Sequence, residues 1–267
     1  MDIGPVILAV AVNNSRTRVG LIQGDQLDAP QSFDNADTRA IVDEIAARVP
    51  GKDGRRDATI VMSSVNDPVA DRIAAALESR LGSTVYRVGR DLPVPMRHAL
   101  DDASTVGQDR LLCALAAFAR SRQACVVIDV GTAVTVDFVD GEGAFQGGCI
   151  APGLNLMLRA LHEHTAALPE MTFTPPDPAR GQLGKDTRHA MLLGVRAAVK
   201  GLVRERTEAY AEFYGAYPRV VATGGDAAML FEGDDLVEQV VPDLQLAGIA
   251  ELCKLTLQET DESEDDL

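Results

Sequence analysis

An apolar strand that runs straight into Asp-x-Gly-Thr, in Val126–Val139 (VVIDVGTAVTVDFV), constrains this chain more than any other segment. An unbroken run of Val and Ile reads as a core strand, and Gly131 lets the backbone turn tightly at its end. Asp129 and Thr132 therefore arrive together at a strand end, where a phosphate or cation site is built. Glycine has no Cβ to hold a ligand away, and threonine adds a hydroxyl to the exposed N–H groups, so an anion can approach the main chain closely. Gly147-Gly148 follow in QGGCIAPG. The same residues also fit an ordinary hairpin, Val126–Val130 to Thr135–Val139, closed by Gly and Thr, and local sequence leaves both readings open.

Around this segment the pattern alternates between strands and helices. Val6–Val12 and Arg18–Ile22 read as strands joined by the turn-forming Asn13-Asn14-Ser15-Arg16. Thr38–Val49 has apolar residues at helical spacing and stops at Pro50-Gly51; Thr59–Ser63 is a strand, Asp67–Leu81 a helix and Thr84–Val88 a strand. The proline-bearing stretch Leu92–Ser104 is a surface loop, and Gly107–Ser121 resumes as a helix. Ala144–Ile150 is a strand, Leu154–Ala167 a helix, Pro169–Asp177 a loop, Thr187–Tyr214 a long helix, Arg219–Ala222 a strand and Leu246–Leu257 a closing helix. The second half thus repeats the order of elements in the first, giving an α/β chain with expected parts 1–121 and 122–258. The acidic 259–267 lacks apolar residues and is expected to be a disordered tail.

Forty acidic against 25 basic residues give a net charge of −15, which repels nucleic acid and anionic membranes; neither is expected as a partner. Any polyanionic ligand needs a local positive or metal-bearing pocket. Cys113, Cys125, Cys149 and Cys253 are too far apart for metal knuckles or redox pairs. His162 and His164 flank Glu163, but an i,i+2 spacing on a helix points them to different faces. No export signal or membrane-length apolar run is visible, so the cytoplasm is the expected compartment.

Two further segments carry chemistry. Gly107-Gln108-Asp109-Arg110 opens a helix, where unpaired N–H groups favour negative charge; Asp109 is suited to stay ionised and accept a hydroxyl proton, and Arg110 to hold a carboxylate in a two-point fork. A capping Asp followed by a surface Arg fits the local sequence equally well. Thr223-Gly224-Gly225-Asp226 follows a core strand and enters a helix, a turn able to pass under a nucleoside because it presents no side chain.

In this order the pieces resemble the type III pantothenate kinases, within the sugar kinase, Hsp70 and actin superfamily. Leu8–Gly20 is similar to that family's phosphate-binding hairpin, Asp-x-Gly-Asn-Thr; Gly107–Arg110 matches its Gly-x-Asp-Arg; Asp129–Ala133, Gly147–Gly153 and Ala167–Pro169 lie at family-like distances. Gly184–Thr187 stands near its Gly-Lys-Asn-Thr, and Thr223–Gly225 and Leu244–Gly248 complete the set. The resemblance implies two ribonuclease-H-like (actin-like ATPase) halves, each a mixed β-sheet with flanking helices, with an ATP cleft between them. It implies Asp109 as the proton acceptor for the pantothenate hydroxyl and Gly107, Gln108, Arg110 and Thr187 as pantothenate contacts. Asn13, Asn14, Ser15, Thr132, Gly224 and Gly225 would bind ATP, and Asp129 would hold a monovalent cation, potassium or ammonium. Magnesium as ATP's companion, a homodimer, and entry into coenzyme A synthesis follow from the same resemblance.

The chain departs from the family pattern at identifiable positions. The hairpin's Asp aligns with Ala11, its Gly with Asn13 and its Thr with Ser15, so an oxygen that helps organise the phosphate-bound metal is missing; Asn13 is expected to take the left-handed turn in place of Gly. Asp2-Ile3-Gly4 imitates the motif, but no strand precedes it and Pro follows. The family's Tyr and Asn-Pro fall at Leu100, Asp102 and Ala103, and Asp186 replaces an Asn beside Thr187. Extra carboxylates there oppose an anionic vitamin unless Arg110 or another cation offsets them. These changes leave two alternatives: a non-catalytic homologue that binds nucleotide or ligand, and a kinase for a different small alcohol.

Overall fold

The computed structural model describes residues 6–24, 26–49, 51–52, 55–56 and 59–265; Asp2-Ile3-Gly4 and Pro50 lie outside them. Twelve strands and seven α-helices follow one another among these residues. They are β1 (Ile7–Val12), β2 (Arg16–Gln23), β3 (Gln26–Asp34), α1 (Thr38–Arg48), β4 (Gly51–Lys52), β5 (Arg55–Arg56), β6 (Thr59–Ser64), α2 (Asp67–Leu81), β7 (Val85–Arg87) and α3 (Gln108–Ser121). There follow β8 (Cys125–Val130), β9 (Ala133–Val139), β10 (Phe145–Pro152), α4 (Leu154–Glu163), α5 (Thr187–Tyr214), β11 (Arg219–Thr223), α6 (Ala227–Phe231), β12 (Gln239–Val240) and α7 (Leu244–Asp265). No described helix is long and apolar enough to cross a membrane.

Two five-stranded sheets share one topology. The first has order β3-β2-β1-β6-β7 and the second β10-β9-β8-β11-β12, each an antiparallel meander continued by parallel strands. This is the mixed sheet expected of each half, and the repetition of strand order carries the internal duplication that element order alone suggested. The first strand of each meander sits mid-sheet and is covered on both faces, which is why LAVAV and VVIDV read as continuous apolar runs. On one face of the first sheet Leu8, Val10 and Val12 pack with Ile41 and Ile45 of α1 and Ile73 and Leu77 of α2. On the other, Ile7, Ala9 and Ala11 meet Leu112 and Leu115 of α3 and Leu246 and Ile249 of α7. In the second sheet Val126, Ile128, Val134 and Val136 pack under Leu154 and Leu158 of α4 and Val195, Val199 and Val203 of α5.

The chain forms two compact units, the described residues of Met1–Arg97, Asp101–Arg120 and Asp243–Leu267, and those of His98–Leu100 and Ser121–Pro242. The closing helix, expected within 122–258, belongs to the first unit because its apolar face completes the cover over Ile7, Ala9 and Ala11. It also continues to Asp265, through most of the segment expected to be a disordered tail. The helix is anchored by its buried face, Leu246, Ile249 and Leu252, and such packing rather than propensity supplies most helical stability. β3 was not anticipated: it is an exposed edge strand containing Pro30, without apolar alternation. The hairpin reading of Val126–Val139 holds: β8 and β9 pair antiparallel and Gly131-Thr132 joins them.

Candidate active site

In the first unit, Val12 pairs with Thr17, so Asn13-Asn14-Ser15-Arg16 forms the tip between β1 and β2, closed by Asn13 N–H donating to the Arg16 carbonyl at 2.9 Å. Asn13 is not among the residues of positive φ, so the expected left-handed turn does not occur; the four-residue loop closes without it. Asn35, 8% exposed, lies under the tip. Its Nδ2 donates to the carbonyls of Asn13 (2.7 Å) and Asn14 (3.2 Å), its N–H donates to the Ser15 carbonyl (3.2 Å), and its Oδ1 accepts the Thr17 hydroxyl (2.8 Å). Asn66, ahead of α2, donates to the Asn14 carbonyl at 3.3 Å.

Ala11 is fully buried between Arg18 on β2 and Ser63 on β6, its register partners. Both neighbours are tied to the start of α7: an Arg18 guanidinium nitrogen lies 2.5 Å from Asp243 Oδ1, and Gln245 donates to the Ser63 hydroxyl at 3.3 Å. Burial raises the Asp243 carboxyl and Arg18 opposes that rise. Asn13, just beyond the end of β1, has its Oδ1 buried without a hydrogen-bond partner.

The start of α3 adjoins this end of the sheet. Gly107 lies against Val65, the residue before Asn66, and a Cβ on Gly107 would fall 2.3 Å from Asp109 Oδ1. Only glycine therefore lets the Asp109 carboxylate fold back over its own helix start. The Arg110 N–H donates to that oxygen at 2.9 Å. Burial pushes the Asp109 carboxyl above its ordinary value, partly countered by that N–H and by the Arg110 charge. Such a group is a better base than a solvated carboxylate, and Arg110 helps keep it ionised. Gln108 packs its side chain against Gly89, placing it beside the expected substrate residues but fixed by a neighbour.

In the second unit the glycine motifs meet around Asp129–Thr132. Gly153, which precedes α4, donates to the Thr132 carbonyl at 3.0 Å. Gly224 adopts φ +98°, and a Cβ there would lie 2.4 Å from both Asp129 Oδ1 and the Val130 carbonyl oxygen. The Asp226 N–H donates to that same carbonyl at 3.0 Å. Asp129 Oδ1 and the Val130 carbonyl oxygen both border this side-chain-free turn, and oxygens are the ligands a hard cation accepts. Thr132 and Gly225 are exposed at the edge of this arrangement.

The added carboxylates prove to be locally engaged. Asp102 caps the 3-10 turn Ala103–Thr105, accepting from the Ser104 N–H (2.9 Å) and hydroxyl (2.6 Å), and its carboxyl is lowered by those bonds. Asp186 caps α5 by accepting from His189 N–H and is paired with Arg180; both contacts lower its carboxyl. Where the sequence left the counter-charge to Arg110 or another cation, the cation paired with Asp186 is Arg180. Thr187 is exposed at the first turn of α5, and Leu100 lies near Gly147. His162 bonds the Leu168 carbonyl through Nδ1 at 2.8 Å, and among the described residues no three His, Cys, Asp or Glu side chains group as a metal site. Asn35 and Asn66 are the contributors the sequence reading missed; neither sits in a motif.

A family model described as type III pantothenate kinase matches residues 7–209. The type III pantothenate kinase of Dehalococcoides mccartyi (strain CBDB1) is 31% identical over 249 residues, covering 91% of this chain and 93% of that protein. That of Frankia alni (strain DSM 45986 / CECT 9034 / ACN14a) is 33% identical over 258 residues, covering 91% and 97%. A crystal structure of a conserved putative Baf family transcriptional activator from Campylobacter jejuni shares the fold, with a TM-score of 0.61 at 16% identity over 94% of this chain and 99% of that one. The chain belongs to the type III pantothenate kinase family.

Proposed function

We propose that this chain transfers the γ-phosphoryl group of ATP to the primary hydroxyl of pantothenate, the first step toward coenzyme A. The observation that carries this reading is Asp109: a carboxylate raised by burial, admitted by Gly107 and flanked by Arg110, at the first turn of a helix. Asp109 accepts the hydroxyl proton as the oxygen attacks phosphorus, while Gly107, Gln108, Arg110 and Thr187 hold the vitamin. Asn13, Asn14 and Ser15 face the phosphates, and Thr132, Gly224 and Gly225 complete ATP binding. Positioning and charge neutralisation supply most of the rate in such transfers.

Magnesium bound with ATP would neutralise phosphate charge, and in sites of this chemistry it is held by one or two carboxylates together with phosphates and water. Asn13 Oδ1, buried without a partner two residues after Ala11, offers an acceptor oxygen that Ala11 cannot. Asp129 with the Val130 carbonyl suits a monovalent cation, potassium or ammonium. A homodimer accords with the exposed Leu183 near Thr187 and with Phe213 and Tyr217, 75% and 63% exposed at the end of α5 and just beyond. Four free cysteines suit the reducing cytoplasm.

Incubation with ATP, magnesium, potassium and pantothenate, followed by phosphorus NMR, should show phosphopantothenate accumulating with wild type and not with Asp109→Ala. Tight ATP binding without any product would instead identify a binding protein, and a better alcohol in a substrate panel would reassign the acceptor.

A further inference from the structure

We infer that Asn35 is the positioning residue that gives the β1–β2 hairpin its phosphate-binding face, with Thr17 as the lock on its orientation; this rests on the kinase reading above. A trans peptide holds its C=O and N–H on opposite edges. Drawing the Asn13 and Asn14 carbonyls onto one amide nitrogen, at 2.7 and 3.2 Å, therefore fixes the planes of peptides 13–14 and 14–15 and turns their N–H edges away from Asn35. The third tip carbonyl, of Ser15, is held by the Asn35 backbone N–H at 3.2 Å, and Asn66 restrains the Asn14 carbonyl from a second direction. Oriented N–H edges on a tight turn are how a main chain cradles an anion. A chain without the hairpin's usual carboxylate depends the more on that orientation.

An amide side chain can sit in two orientations, and only one presents Nδ2 to the carbonyls. The two acceptor-only carbonyls select that orientation, because the reversed amide would set oxygen against them, and Thr17, fully buried, donates its hydroxyl to Oδ1 at 2.8 Å and holds the amide there. Asn35 touches the hairpin backbone and acts on the nucleotide through it.

The test compares Asn35→Ala, Asn35→Asp, Thr17→Val and Thr17→Ser with wild type, measuring magnesium-ATP affinity by calorimetry, both KM values and melting temperature. Loss of the ordering amide, or its release by Thr17→Val, should weaken ATP binding and raise the ATP KM by about tenfold while the pantothenate KM stays within about twofold. Thr17→Ser, which keeps the hydroxyl, should restore the ATP values. If an Asn35 variant fails to fold, the Thr17 pair decides the matter alone. Unchanged ATP affinity in the folded variants would overturn the inference, as would equal losses for both substrates. Wild type that binds and uses ATP while the variants do likewise sinks only this inference. Wild type unable to bind ATP sinks the kinase reading and this inference together.

Discussion

Replacing Gly224 with alanine is the sharpest perturbation of the second unit. The residue has φ +98°, which costs an L side chain about 1–3 kcal/mol. Its new Cβ would stand 2.4 Å from Asp129 Oδ1 and the Val130 carbonyl oxygen and 2.6 Å from the Val130 nitrogen. The carboxylate can swing aside but the strand backbone cannot, and overpacking of this kind adds about 1–3 kcal/mol. A total of about 2–6 kcal/mol corresponds to a fall in melting temperature on the order of 10 °C for a chain of this size. Displacing Asp129 should also abolish stimulation by potassium. Gly225→Ala is the control: nothing lies within 4 Å of its Cβ and its φ is not positive, so stability should change by less than about 0.5 kcal/mol. Scanning calorimetry of both variants, with ATP turnover against potassium concentration, is the assay. Equal melting temperatures for the two, or Gly224→Ala retaining wild-type potassium dependence, would refute the reasoning.

Asp109→Asn should reduce kcat by about a hundred- to ten-thousand-fold, the usual span for a lost general base, measured by ADP release. Because burial raises the Asp109 carboxyl, folding favours its protonated form: that contribution is full below the ordinary carboxylate value and lost as pH rises through the raised one, so Asp109→Asn should melt no lower than wild type at neutral pH. The same shift makes wild-type turnover fall as pH drops through the raised value, since the base must be ionised; a flat acid limb in the rate profile would contradict it. Arg180→Ala should raise the pantothenate KM and leave the ATP KM unchanged, because it uncovers the Asp186 charge beside Thr187. Ala11→Asp should raise turnover at low magnesium, with Arg18 available as its cross-strand partner; loss of turnover in a folded variant would show that the site no longer accommodates the carboxylate.

The sheets were legible because their central strands are buried on both sides and leave LAVAV and VVIDV as unbroken apolar runs. Asp67–Leu81, opening at Asp-Pro, and Thr187–Tyr214, with its polar face, form helices over the bounds read from the sequence. An apolar stripe shows that a helix is covered, but not by which sheet, so the return of α7 to the first unit left no local signal. β3 was hidden because an exposed edge strand needs no alternation. At the site, Asp109, Asp129 and the glycine turns announced themselves through motifs that need a bare backbone. Asn35 and Arg180 did not: one acts on carbonyls some 20 residues away through its side chain, the other on a carboxylate across a loop, and neither contact demands a fixed spacing.

The most direct measurement is pantothenate-dependent ADP release by wild type beside Asp109→Asn, in magnesium and potassium, with both proteins shown by calorimetry to be equally folded. The account requires ADP and phosphopantothenate in equal amounts from wild type and a near-complete loss in the variant. ADP release that ignores pantothenate, or a folded Asp109→Asn variant as fast as wild type, would contradict it.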